Sequence, residues 1–255
     1  MIRRIFRLSL YAGALLVGGG VAWAVFRPTV EGSGKPATET RPISGTPTEL
    51  VLEGAGEVLL VSGPEPSVRV TADDNVLPLL TTEVSGRQLT LGTSTSRLHA
   101  RTPIRYQVTL PALAGVSVSG SGSVSGERFT GDKLAVKASG SGVVDLREIK
   151  CHSLTVNLSG AGKATVAGVA DRSAYKVSGA GIIDAAGLKT TAAEVNISGA
   201  GQVKVWATDS LKSRVSGSGL VLYKGSPNVE QKTSGSARVQ PLAPEPPAVK
   251  GTDGF

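Results

Sequence analysis

The chain is poor in the residues most chemistry needs. It has one cysteine, Cys151, and two histidines, His99 and His152, in 255 residues. One cysteine excludes an intramolecular disulfide and any Cys-based zinc site. The two histidines stand in different segments with no ligand motif around either, so no metal or other cofactor is expected. Aromatic residues make up only 4% of the chain and charged residues 18%, against about 25% charged in an average soluble protein. A core with so few aromatics must be built from Val, Leu, Ile and Ala, which suits narrow, regular β-structure. There is no G-x-S-x-G elbow, and no glycine-rich loop carries the lysine of a phosphate cradle.

The net charge is +7, but it is not spread evenly. Arg3, Arg4, Arg7 and Arg27 flank one uncharged stretch, Leu8 to Phe26. Setting those four aside leaves 23 basic residues against 20 acidic ones. The basicity is therefore largely a membrane-topology signal, and no nucleic-acid partner is expected. Residues 1–27 read as a transmembrane or signal helix, a signal-anchor or a signal peptide. At about 1.5 Å per residue the uncharged stretch just reaches across a bilayer. The arginines ahead of it place the body outside the cytoplasm. Ala22-Trp23-Ala24 resembles a cleavage site, which would release the chain after Ala24. The two expectations are thus a single-pass inner-membrane protein with an extracytoplasmic, periplasmic body, or a secreted one. Residues 28–47 and 241–255 are rich in Pro, Gly and Thr without apolar period, and predict a flexible linker and a disordered tail.

What the chain has in abundance is glycine, 33 residues of it, much of it in one recurring tetrapeptide. Ser119-Gly120-Ser121-Gly122 is followed by copies starting at Ser139, Ser159, Ser178, Ser198 and Ser216, and by a degenerate one at Ser234. The copies are 20, 20, 19, 20, 18 and 18 residues apart. With the first serine as position zero, position −1 holds Val118, Ala138, Leu158, Val177, Ile197 and Val215. Position −3 holds Val116, Val136, Val156, Tyr175 and Val195. Two residues past the tetrapeptide come Val124, Val144, Ala164, Ile183, Val203 and Val221. Such alternation marks strands with one apolar face. Continued through the tetrapeptide, it places both glycines on the inner side. Each period then reads as strand, small-residue corner, strand and return loop. One unit cannot bury its apolar face alone, but stacked units can, with rungs about 4.8 Å apart. The predicted fold is all-β, a parallel β-helix or β-solenoid over residues 116–240. The irregular strands of residues 48–115 form an N-terminal capping region, with Glu53-Gly54-Ala55-Gly56 as a degenerate first corner.

Three passages together, LPLLTTEVSGRQLTLGT, IRYQVTLPALAGVSVSGSGSV and the serial SGSG or SGAG corners, resemble the putative auto-transporter adhesin head GIN domain family. The resemblance spans residues near 50 to 240. It implies a solenoid-like extracytoplasmic domain in bacteria, adhesin-like in name, with no catalytic motif to carry over. No alternating transmembrane strands of an auto-transporter barrel follow residue 240.

Two outward columns could carry function. Position −2 reads Lys137, Asn157, Lys176, Asn196, Arg214 and Lys232, a ladder of donors without an acid. It would suit an extended anionic polymer such as an envelope polysaccharide. Outward lysines also protect sheets from aggregation, and asparagine ladders stabilise stacked rungs, so the same column is compatible with a pure scaffold that has only protein partners. The alternative is a carbohydrate-active enzyme of lyase or hydrolase type using Asp145 and Asp184. They share a column two rungs apart, on the order of 9.6 Å, near the upper end for an inverting carboxylate pair. The expected function is adhesion, envelope scaffolding or polymer binding, without catalytic residues.

Overall fold

A computed structural model describes the backbone of residues 12–17 and 20–25, and residues 29–95 and 97–243. The alternating apolar residues do form strands that coil into stacked rungs. Val143–Gly160, Lys163–Gly179, Ile182–Gly199 and Gln202–Gly217 each supply one long bent strand per coil. They pair in parallel, each on the one before. The coil below is divided into Gly115–Gly120, Ser123–Glu127 and Thr130–Gly140. The last is divided into Leu220–Lys224, Asn228–Gly235 and Arg238–Pro241. The same residue type recurs one rung on, so the core is made of columns. Val116, Val136, Val156, Tyr175 and Val195 are at most 1% exposed, and position −1 is buried as well. On the terminal rung these inward positions become Gln231 and Thr233, both exposed, which ends the core where no further rung covers it.

Each coil also bends partway along. Between the strands starting at Val143 and Lys163 the register shifts after Leu146, where Glu148 takes a positive φ of 53°. The corner itself differs from its sequence reading. The second glycine of the six full tetrapeptides is buried, but the first is exposed, with φ between 83° and 123° across all seven copies. Ser119, Gly120 and Ser121 therefore all face outward. The positive φ turns the chain, and alternation is suspended for two residues instead of running through.

The N-terminal region is mixed. Glu49–Gly54 lies under Gly115–Gly120 in parallel register, with Gly54 under Gly120, so Glu53–Gly56 is the first corner of the stack. Ser67–Asp73, Leu80–Ser85 and Gln88–Thr93 bring antiparallel pairings, and Arg105–Leu110 pairs with both Glu57–Ser62 and Ser67–Asp73. The only helix among the described residues is one 3-10 turn, Leu77–Leu79.

Two expectations fail here. Residues 28–47 are not a free linker. Val30–Glu31 pairs with Leu98–His99, and Pro36–Pro42 pairs antiparallel with Ser67–Asp73. Prolines are tolerated at the ends of an edge strand. Arg41 ties this strand down by donating to the carbonyls of Leu80 (2.7 Å) and Leu77 (2.8 Å). The described part of the N-terminal segment is likewise not helical. Ala12–Val17 and Gly20–Val25 form an antiparallel hairpin, and no described helix is long and apolar enough to cross a membrane. The run Gly18-Gly19-Gly20 explains the departure, since each glycine weakens a helix by up to about 1 kcal/mol. The predicted tail lies outside the described residues beyond residue 243.

One buried carboxylate holds the N-terminal arm. Asp73 is 0% exposed. It accepts from the Thr102 hydroxyl (2.6 Å) and from the backbone N–H groups of Gly34 (3.0 Å), Arg101 (2.8 Å) and Thr102 (3.2 Å). The Thr102 hydroxyl, followed by those N–H groups, holds its pKa below the ordinary 3.8 despite its burial. A lowered folded-state pKa stabilises the fold above the unfolded value and loses that contribution as pH falls through the folded one. Acid titration below about pH 4 should therefore loosen residues 30–42, seen as faster amide exchange there. Asp73→Asn should show the loosened state already at neutral pH and lack the acid step. An acid step of unchanged size in Asp73→Asn would refute this assignment.

Candidate functional site

The parallel register converts the sequence period into surface ladders. Lys137 pairs with Asn157, Asn157 with Lys176, Lys176 with Asn196, Asn196 with Arg214 and Arg214 with Lys232. All six predicted residues stand in one continuous column, the four cations exposed and the two amides half-buried. Two residues along each strand, the first serines of the corners form a second ladder from Ser119 to Ser234. All seven are exposed, and none of their hydroxyls has a hydrogen-bond partner among the described residues.

Between the two ladders runs a shallow groove of about 350 Å³ over the last four rungs. Lys176, Asn196, Arg214 and Lys232 line one side, and Ser198, Ser216 and Ser234 the other. The cationic column is not free of acid influence, which its own composition did not reveal. Glu194, two residues before Asn196 on the same face, accepts from Asn196 Nδ2 at 3.2 Å and from Arg214 Nη1 at 2.9 Å. Lys137, Lys176 and Lys232 have no ion-pair partner among the described residues. A second set of lysines, Lys150, Lys189 and Lys224, shares an outward column with Val169 and Trp206 on another part of the coil. Lys224 Nζ sits 4.0 Å from the centre of the Trp206 ring.

Asp145 and Asp184 do share a column with Thr165 between them. Each carboxylate is already engaged. Arg147 donates to both oxygens of Asp145 at 3.0 Å, and Lys204 lies 3.3 Å from Asp184. Cys151 is half-buried, and burial pushes its thiol up to about 11, away from a thiolate. His152 Nδ1 contacts Asp171 at 2.6 Å, and no group of three potential metal ligands occurs among the described residues.

One feature had no sequence signal. A cavity of about 780 Å³ opens at the N-terminal end, between the Glu53–Glu57 corner and the loop carrying His99 and Ile104, with Tyr106 in its wall. Burial pushes the Tyr106 phenol up to about 12, so it is a neutral hydroxyl. Long-range packing of irregular strands forms this space, and no local motif announces it.

Repeated rungs, a closed aliphatic core and outward ladders define a β-solenoid surface module. The chain belongs to the family described as putative auto-transporter adhesin, head GIN domain, which matches residues 46–227. It is similar in structure to a putative adhesin from Bacteroides fragilis, with 26% identity and a TM-score of 0.78 over 84% of this chain and 100% of that one. A putative lipid binding protein from Parabacteroides distasonis is 26% identical with a TM-score of 0.70, and a putative adhesin from the same organism is 25% identical with 0.69. Each covers the same 84% of this chain and 100% of its own. No curated protein matches the chain.

Proposed function

We propose that this chain is a non-catalytic, adhesin-like module of the cell envelope that holds an extended anionic polysaccharide along its Lys/Asn/Arg column. The observation that carries this is the unbroken register from Lys137 to Lys232, flanked by unpartnered serine hydroxyls and a groove. The cations of the column present charge along a line, which a linear polyanion matches and a compact ligand does not. Hydroxyls and amides beside them supply directional hydrogen bonds to a polyhydroxylated chain. The family supports an adhesin-like role and an exposed location. The basic flank and uncharged run at residues 1–27 support export, either with that segment retained at the inner membrane or with cleavage after Ala24. The engaged state of Asp145 and Asp184 favours binding over turnover.

The test is retention of the full chain on immobilised acidic and neutral polysaccharides at low and high salt. Exposed ion pairs are screened within about 8 Å at physiological ionic strength. Retention on the acidic polymers should therefore be lost at high salt and be absent on neutral dextran. Retention that ignores salt, or depolymerisation abolished by Asp145→Asn, would overturn the proposal.

A further inference from the structure

The order of residues along the column carries more information than its charge, once the groove is taken as a polysaccharide site, the reading on which this inference rests. From Lys137 to Arg214 cation and amide alternate strictly over five rungs: Lys137, Asn157, Lys176, Asn196, Arg214. Only the terminal rung breaks the alternation, with Lys232 next to Arg214. Rungs are about 4.8 Å apart, roughly the length of one sugar residue in an extended glycan. Cations thus recur at about 9.6 Å, every second sugar. The serine ladder has no such alternation and offers one hydroxyl per rung, hence one per sugar.

Glu194 sharpens the pattern. Its carboxylate accepts from the Asn196 amide and stands beside that rung. An anionic sugar seated on Asn196 would meet a like charge, whereas a neutral sugar would meet an amide able to bond hydroxyl or acetamido groups. Arg214 on the next rung shares the same Glu194 oxygen, so its guanidinium is held in place at the edge of the groove while keeping N–H groups for an incoming anion.

We infer that the ligand of this column is a linear glycan with one negative charge on every second residue, the neutral residues seated at Asn157 and Asn196. Glycans with a charge on every residue place anions on the amide rungs, where no cation meets them and Glu194 repels them.

Three probes of matched chain length separate the possibilities when bound to the full chain at one low ionic strength: hyaluronan, charged on alternate sugars; polygalacturonate, charged on every sugar; and dextran, uncharged. Hyaluronan should bind more tightly than polygalacturonate by roughly fivefold or more, about what one well-matched exposed ion pair supplies, and dextran should not bind. The paired variant Asn157→Lys with Asn196→Lys, which places a cation on every rung, should erase or reverse the preference with an unchanged β-sheet circular dichroism spectrum. Glu194→Gln should narrow it without new cations. Equal binding of the two acidic polymers, or tighter polygalacturonate binding, overturns the charge-spacing inference while the polysaccharide reading stands. Binding of neither overturns that reading and the inference with it.

Discussion

Gly199→Ala should cost about 3 kcal/mol and lower the melting temperature by about 6–12 °C for a chain of this size. Gly199 has a φ of 123°, and a Cβ built there would lie 2.5 Å from the carbonyl oxygen of Gly179 on the rung below. An alanine would carry both penalties at once: a backbone conformation that L-residues avoid and a contact with backbone that cannot swing away. The same approach recurs from Gly140 to Gly235, where a Cβ built on each glycine would lie 2.5–2.9 Å from the carbonyl oxygen of the corner glycine one rung below. Because a solenoid is held together mainly by neighbouring rungs, a wedge at one central corner weakens the coupling of everything above it to everything below. Ser198→Ala, one residue earlier and exposed, should stay within about 0.5 kcal/mol. Calorimetry of the two variants decides. A Gly199→Ala protein melting within about 2 °C of the parent would contradict the close-packed corner.

Leu188→Ala should cost about 2–5 kcal/mol, the range for truncating a buried leucine. Leu188 is 0% exposed and faces the core within the register shift between Ala185 and Lys189. Ile182 lies on the same strand but is 39% exposed. Ile182→Ala should cost well under half as much. Denaturant unfolding of both variants measures the difference. Equal costs would mean that the inward and outward assignment along this strand is wrong.

The architecture is legible in the sequence because a repeat states its own geometry. Seven corners at near-constant spacing fix the rungs, and alternation on either side fixes which residues point inward. The column from Lys137 to Lys232 can therefore be named from the sequence alone. The corner is misread there for a specific reason. From Val118 to Gly122 there are four residue steps whether the chain runs straight or turns at Gly120, so the alternation beyond the corner is the same in both cases. Side-chain pattern alone cannot reveal a positive φ. The N-terminal arm is misread because its prolines resemble a tether, while its anchor, Asp73, lies 31 residues beyond Pro42 in sequence and is held by groups from separate segments. The influence of Glu194 on Asn196 and Arg214 crosses between columns and rungs, and so appears only once register is known.

One face of the coil, rather than the chain's overall basicity, should carry the binding. Affinity for an acidic polysaccharide should be compared between Lys176→Glu with Lys232→Glu in the groove, and Lys150→Glu with Lys189→Glu on the other column. Both pairs change the net charge equally, and all four lysines are exposed. The groove pair should abolish binding and the other pair should leave it within about twofold, the residual effect of a distant, screened charge. Equal losses in both pairs would mean that the polymer sees only net charge, and the groove would have no claim to be the site.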